Sequence, residues 1–278
     1  MAFPPPVIEH CVRHPDVVTG RHCTRCDRPA CNDCLVRADV GSQCIDCVRA
    51  SRLPRSQRMR NWNAAQPAIV TRALVALNVV VHLWVLTGDT VLTWGGPINA
   101  HEWDLALSAP FVADGQWWRL VTSGFLHFGF LHLGMNMLLL WQLGELLEPA
   151  LDRGRFALLY FSSLLGGAAG ALLLSPNALT GGASGAVFGL MAAATVGLSQ
   201  RGVNPFRTGI GATLLLNLLI TFTIPNISIG GHLGGAAMGA AVGYAMLEPR
   251  WRRGSSWIGW TAPVVGMLIA LALVRSAI

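Results

Sequence analysis

From residue 68 onward the chain alternates between long apolar runs and short polar breaks, and no such run precedes it. The runs fall near 68–87, 125–147, 156–175, 183–199, 209–224, 230–247 and 257–274. A helix crosses a bilayer in about 20 apolar residues, so the pattern predicts seven transmembrane helices, the fifth of them short. The expected fold class is an all-α polytopic membrane protein with a small domain in front. Residues 1–48 are polar and cysteine-rich, without apolar periodicity. Residues 49–66 read as a basic linker with Arg49, Arg52, Arg55, Arg58 and Arg60, and residues 67–278 as the membrane domain.

Composition sharpens this picture. The chain is 53% hydrophobic and 12% charged, whereas a soluble domain carries about a quarter charged residues. The formal net charge is +6, and all 20 basic residues are arginine, which reads as the codon bias of a GC-rich genome. These arginines flank apolar runs, which points to a membrane surface and not to nucleic acid. Basic residues next to spans favour the cytoplasmic face. A cytoplasmic N-terminus places the linker, Arg153, Arg155, Arg201, Arg207, Arg250, Arg252 and Arg253 inside, and only Arg119 and Arg275 outside. The expectation is a multi-pass plasma-membrane protein, N-terminus cytoplasmic and C-terminus outside. The linker should grip anionic lipid at about 1 kcal/mol per arginine. No apolar stretch follows a basic start, so no cleavable signal peptide is expected. Trp94, Trp103, Trp117 and Trp118 in the first loop favour the headgroup layer.

Polar groups within spans are costly and mark function. Span two carries His132 and Asn136, four apart and so on one helical face. Span four opens with Gly181-Gly-Ala-Ser184-Gly185 and span six with Gly230-Gly-His232. All three spans run from outside to inside in the chosen orientation, so these four residues fall at matching depth in the outer half. Glycines at 181, 185 and 189, and at 231, 235, 239 and 243, form ridges along which membrane helices approach closely. Closeness matters, because a serine oxygen and an imidazole must come within about 3 Å for general-base activation. Ser184 then reads as nucleophile and His232 as base and later acid. His132, Asn136 and the Ser184 backbone N–H read as donors to an oxyanion. No carboxylate occupies the outer half of these spans, which predicts a Ser–His dyad.

These residues resemble the catalytic signature of the rhomboid family of intramembrane serine proteases. The resemblance rests on Trp118-Arg119, His127, His132-x-x-x-Asn136, Gly182-Ala-Ser184-Gly185 and His232-x-x-Gly-x-x-x-Gly239, and covers about residues 67–278. It implies a rhomboid-like helical bundle, a six-helix core with one helix added at its C-terminal end. It also implies Ser184 and His232 as the working pair, with His132 and Asn136 at the oxyanion. Single-span membrane proteins, cut in or near the outer part of the membrane, are the implied substrates. Trp118 and Arg119 match the family's structural loop motif. Phe188 stands where many members place a tyrosine that stacks on the base histidine; phenylalanine keeps the ring. On a helix His127 and His132 would lie about 140° apart, which assigns His127 a structural or water-retaining role. His82 reads as a packed or interfacial histidine, and Glu145 and Glu148 as stabilisers of the inner loop.

The tail holds Cys11-x2-His14, Cys23-x2-Cys26, Cys31-x2-Cys34 and Cys44-x2-Cys47. Four such pairs supply eight ligands, enough for two four-coordinate structural zinc ions. Disulfides fit poorly with an odd cysteine count and a cytoplasmic tail. The spacing is similar to B-box-type zinc fingers, which implies a cross-brace of the first pair with the third and the second with the fourth. B-boxes end in histidines where this chain has Cys44 and Cys47. His10 and His22 are spare histidines that could replace His14. So short a module has too little core to fold unaided, so metal binding should drive its folding. A cytoplasmic protein partner is its expected target, and no cofactor is expected for catalysis. Two rivals remain: a catalytically inactive rhomboid-like client-binding protein, which would lack the serine or histidine, and a transporter, which would carry acids in its core spans.

Overall fold

The computed structural model describes residues 8–52, 54, 57–58, 68–93, 96–225, 227–248 and 257–278; Arg55, Arg60, Trp94, Arg250, Arg252 and Arg253 lie outside the described residues. The chain divides into two units, Met1–Trp62 and Asn63–Ile278. In the first, β1 (His10–Cys11) pairs antiparallel with β2 (His14–Val18), and β3 (Leu35–Arg37) with β4 (Ser42–Cys44), which leads into α1 (Ile45–Ala50). Its buried cluster consists of Cys11, Cys23, Cys31, Cys34 and Cys44 with Ala30, while Val12, Val17 and Val18 face outward. Apolar burial is therefore not what organises this unit. Convergence of sulfur atoms is.

The second unit is helical apart from the hairpin β5 (Thr90–Thr93) and β6 (Gly96–Asn99). Its helices are α2 (Ile69–Val85), α3 (Ala100–Leu105), α4 (Ala109–Ala113), α5 (Arg119–Thr122), α6 (Phe130–Leu151), α7 (Arg153–Leu174), α8 (Ser184–Ser199), α9 (Ile210–Thr223), α10 (Ile229–Met246) and α11 (Ile258–Ala277). Helices α2 and α6 to α11 fall where the apolar runs predict spans. By length and composition α6, α7 and α11 can each cross a membrane, and α2, α8 and α9 are apolar but shorter. Glycines and His232 dilute the apolar character of the 18-residue α10.

Two boundaries differ from the sequence expectation. Helix α6 begins at Phe130, not near 125, because the preceding Gly129 adopts φ +92°. It runs on to Leu151, so only Asp152 separates it from α7. Asp152 turns the chain with φ +87°, and its carboxylate accepts the Arg155 N–H at 3.0 Å and Nε–H at 2.7 Å. One residue thus ends one helix and caps the next.

Helix α10 packs tightly against α7 and α8. A Cβ placed on Gly235 would strike the Gly185 carbonyl, one on Gly239 would strike Gly189, and one on Gly230 would strike Gly170. Only glycine permits backbones this close. Gly181, expected on the same ridge, instead lies ahead of α8 against Leu126.

The acidic pair on α6 also departs from expectation. Glu148 is 3% exposed and accepts hydrogen bonds from the N–H of Val70 (3.0 Å) and Thr71 (2.9 Å) and from the Thr71 hydroxyl (2.8 Å). It therefore caps the N-terminus of α2, whose first N–H groups have no partner within the helix. Glu145 approaches Arg72 at 3.7 Å. Both tie α6 to α2 and not to the inner loop. In the first loop the buried Arg119 donates to the carbonyls of Trp103 (2.6 Å) and Ala106 (2.8 Å) and to Gln116 (2.7 Å), with its guanidinium over Phe111. These bonds gather α3, α4 and α5 into one packed segment.

Candidate active site

The strand of chain before Ser184 is anchored at three points. Leu107 and Thr180 exchange backbone hydrogen bonds of 2.9 Å. The Gly182 N–H donates to the Ser123 carbonyl at 2.8 Å, and the Ala183 N–H to His127 Nε2 at 3.4 Å. Gly182 sits at φ +135°, and a Cβ there would lie 2.8 Å from the His132 ring, so both conformation and space require glycine. Ser184 follows as the first residue of α8. Among the described residues its N–H has no backbone acceptor, the Thr180 carbonyl one turn back being taken by the Leu107 N–H.

His127 is fully buried, but it precedes α6 and is not part of it. Its Nδ1–H donates to the Phe125 carbonyl at 3.3 Å, which leaves Nε2 to accept from Ala183. Its ring meets His132 edge-on at 5.0 Å. The helical-wheel expectation that these two point apart fails, because the helix starts three residues later. His82 is packed as expected, 2% exposed and edge-on to Phe130 at 5.0 Å.

His232 lies in the first turn of α10, where the Ser228 hydroxyl accepts the Gly231 N–H at 3.1 Å and caps the helix. Phe188 stacks on its ring with centroids 4.1 Å apart. Its Nδ1 is 2.7 Å from the Thr221 hydroxyl, which in turn lies 2.7 Å from the Asn217 carbonyl. Neither Thr221 nor Asn217 was anticipated. The available signal was the pair Asn217 and Thr221, four residues apart in a short fifth span that also carries Thr213 and Thr223.

Ser184, His232, His132 and Asn136 all line one cavity of about 440 Å³, together with Phe188, Asn217 and Thr221. Met135, Leu139, Val187, Ile220 and Ile224 make its walls apolar, and no carboxylate lines it among the described residues. Ser184 and His232 face this shared space without a direct hydrogen bond among the described residues, as in many unliganded sites that tighten around substrate. Asn136 spends one of its two amide hydrogens on the His132 carbonyl at 2.9 Å.

In the N-terminal unit, Cys11, His14, Cys31 and Cys34 bring their ligand atoms within 4.8 Å of one another, and so do Cys23, Cys26, Cys44 and Cys47. The first pair thus joins the third and the second joins the fourth. Ligands at tetrahedral zinc with Zn–S near 2.3 Å stand about 3.5–3.8 Å apart. His14 Nδ1 is 3.3 Å from Cys31 Sγ and 3.4 Å from Cys34 Sγ, and Cys26 Sγ is 3.8 Å from Cys44 Sγ. Both donor sets fit a metal ion. His22 is not a ligand: it meets the Glu9 carboxylate through Nε2 and the Asp27 carbonyl through Nδ1 at 2.9 Å.

The Rhomboid domain model matches residues 114–249. The putative rhomboid protease YdcA of Bacillus subtilis is 30% identical over 189 residues, which cover 66% of this chain and 92% of YdcA. The chain belongs to the rhomboid family. Rhomboid-like protease 1 of Toxoplasma gondii is 28% identical over 251 residues, 85% of either chain. Rhomboid protease GluP of Bacillus subtilis is 37% identical over 142 residues, half of this chain but only 28% of GluP's own length. The matched rhomboid domain holds α5 to α10, hence every polar residue of the cavity, and ends before α11.

Proposed function

We propose that this rhomboid is an intramembrane serine endopeptidase, cutting single-span membrane proteins in or near the outer part of the bilayer, with Ser184 as nucleophile and His232 as base. The observation that carries this reading is the shared cavity, in which α6, α8 and α10 bring Ser184, His232, His132 and Asn136 together. The neutral imidazole takes the Ser184 proton as the oxygen attacks the amide carbon, then gives it to the leaving nitrogen. Water repeats the sequence on the acyl-enzyme. The oxyanion is met by the second Asn136 amide hydrogen, by His132, and by the free N–H of Ser184 at the positive end of α8. The apolar walls suit a stretch of membrane-embedded substrate.

The protease domain occupies residues 67–278, behind a zinc module at 1–48 and the linker at 49–66. Two structural zinc ions are held by Cys11, His14, Cys31 and Cys34 and by Cys23, Cys26, Cys44 and Cys47. The arginine distribution supports a plasma-membrane orientation with the tail cytoplasmic and the C-terminus outside. The tail recruits a cytoplasmic protein and the linker binds anionic lipid.

The test is cleavage of a single-span reporter in liposomes. Ser184→Ala and His232→Ala should each abolish it without changing thermal unfolding. A fluorophosphonate should label Ser184, and His232→Ala should suppress the labelling. Cleavage retained by Ser184→Ala overturns the reading.

A further inference from the structure

Taken together as hydrogen bonds, the two contacts of Thr221 leave one assignment of hydrogens behind His232. A carbonyl only accepts, so the 2.7 Å contact between Thr221 Oγ1 and the Asn217 carbonyl commits the single hydroxyl hydrogen to Asn217. The Thr221 oxygen is then an acceptor at its other contact, 2.7 Å from His232 Nδ1. The hydrogen in that contact must come from the ring. Neutral imidazole carries one proton, and placing it on Nδ1 leaves a lone pair on Nε2. Thr221 is 1% exposed, which shields the contact from bulk water.

We propose that Thr221 is a positioning residue for His232, holding the imidazole as the Nδ1–H tautomer so that Nε2 is free to take the Ser184 proton. The inference rests on the Ser184–His232 reading and extends it to α9. Phe188 on α8 fixes the ring by its face, and Thr221 on α9 fixes it by its edge. No carboxylate lines the cavity among the described residues, so a neutral hydroxyl does the orienting that an acid performs in a triad. Thr221 also sits in the last turn of α9, where the helix dipole favours the positive ring formed during proton transfer. Because the hydroxyl and the imidazole are on different helices, the tautomer depends on α9 staying against α10.

The experiment combines kinetics with 15N-histidine NMR on the full chain, the His232 signal being assigned by its loss in His232→Gln. The wild type should show His232 as the Nδ1–H tautomer. Thr221→Val, which keeps the shape and removes the hydroxyl, should lose that signature and lower kcat on the order of 10–100-fold with KM little changed, less than the about 10⁴-fold lost when a triad acid is neutralised. Thr221→Ser should restore both. An Nε2–H tautomer in the wild type, an unchanged kcat in Thr221→Val, or a Thr221→Ser variant as impaired as Thr221→Val overturns the inference. Should Thr221→Val not fold, the wild-type tautomer and the Thr221→Ser rates still decide. Ser184→Ala run beside them separates the two readings, since its retained cleavage sinks the serine mechanism while the tautomer is read independently.

Discussion

The rings of Phe188 and His232 lie 4.1 Å apart, centroid to centroid, and 18° from parallel. Phe188 lies four residues after Ser184, so one helical turn of α8 delivers both the proposed nucleophile and the surface on which the proposed base rests. Aromatic stacking contributes about 0.5–1.5 kcal/mol beyond burial. Phe188→Tyr should therefore keep near-wild-type turnover, while Phe188→Leu should lower kcat up to roughly tenfold. Steady-state cleavage of a reporter by the two variants checks this; equal rates in both would remove stacking from the account.

Asn136→Ala should reduce kcat more than it raises KM, because in the proposed mechanism its second amide hydrogen meets charge that develops only during reaction. One preorganised donor is worth roughly 3–4 kcal/mol, and the remaining donors at this site should make the loss smaller. A rise in KM with kcat intact would make Asn136 a packing residue.

Two glycine substitutions should behave oppositely. Gly235→Ala drives a Cβ into the Gly185 carbonyl on α8, and overpacking of this kind costs about 1–3 kcal/mol. It should lower the thermal midpoint in detergent and reduce cleavage, as α8 carries Ser184. Gly134→Ala meets nothing within 4 Å and should be neutral or stabilising by up to about 1 kcal/mol. Equal midpoints for the two variants would contradict the close helix crossing.

Glu148→Ala removes the acceptor for three donors at the start of α2, the two from Thr71 buried and the one from Val70 partly so. Hydrogen bonds to charged groups contribute about 1.5–3 kcal/mol each, so the variant should unfold several degrees below wild type. Glu148→Gln, which retains one acceptor oxygen, should fall between. An unchanged midpoint would show that α2 needs no cap from α6.

Elemental analysis should find two zinc ions per chain. A chelator strong enough to remove them should unfold residues 8–52, whose buried cluster is almost wholly cysteine, while cleavage in detergent persists. Fewer than two ions would break the eight-ligand reading, and loss of cleavage on chelation would make the tail part of the catalytic unit.

By itself the sequence determined the number and place of the long helices, because crossing lipid demands an unbroken apolar run for each. It also pointed to the cysteine and histidine pairs that converge into two clusters able to hold a metal, since two-residue spacing brings ligands together locally, and to Ser184, His232, His132 and Asn136, since polar side chains are conspicuous in apolar spans. Tertiary structure alone decided what those residues touch. His127 left the helix and came to rest against His132 and Ala183 because Gly129 delays the start of α6. Glu148 turned from the inner loop to the N–H groups of α2, and Thr221 met His232 across two helices. Periodicity reports only which face of a helix is apolar. Pairings between helices depend on crossing angle and axial offset, which the glycine contacts set only once the backbones have met.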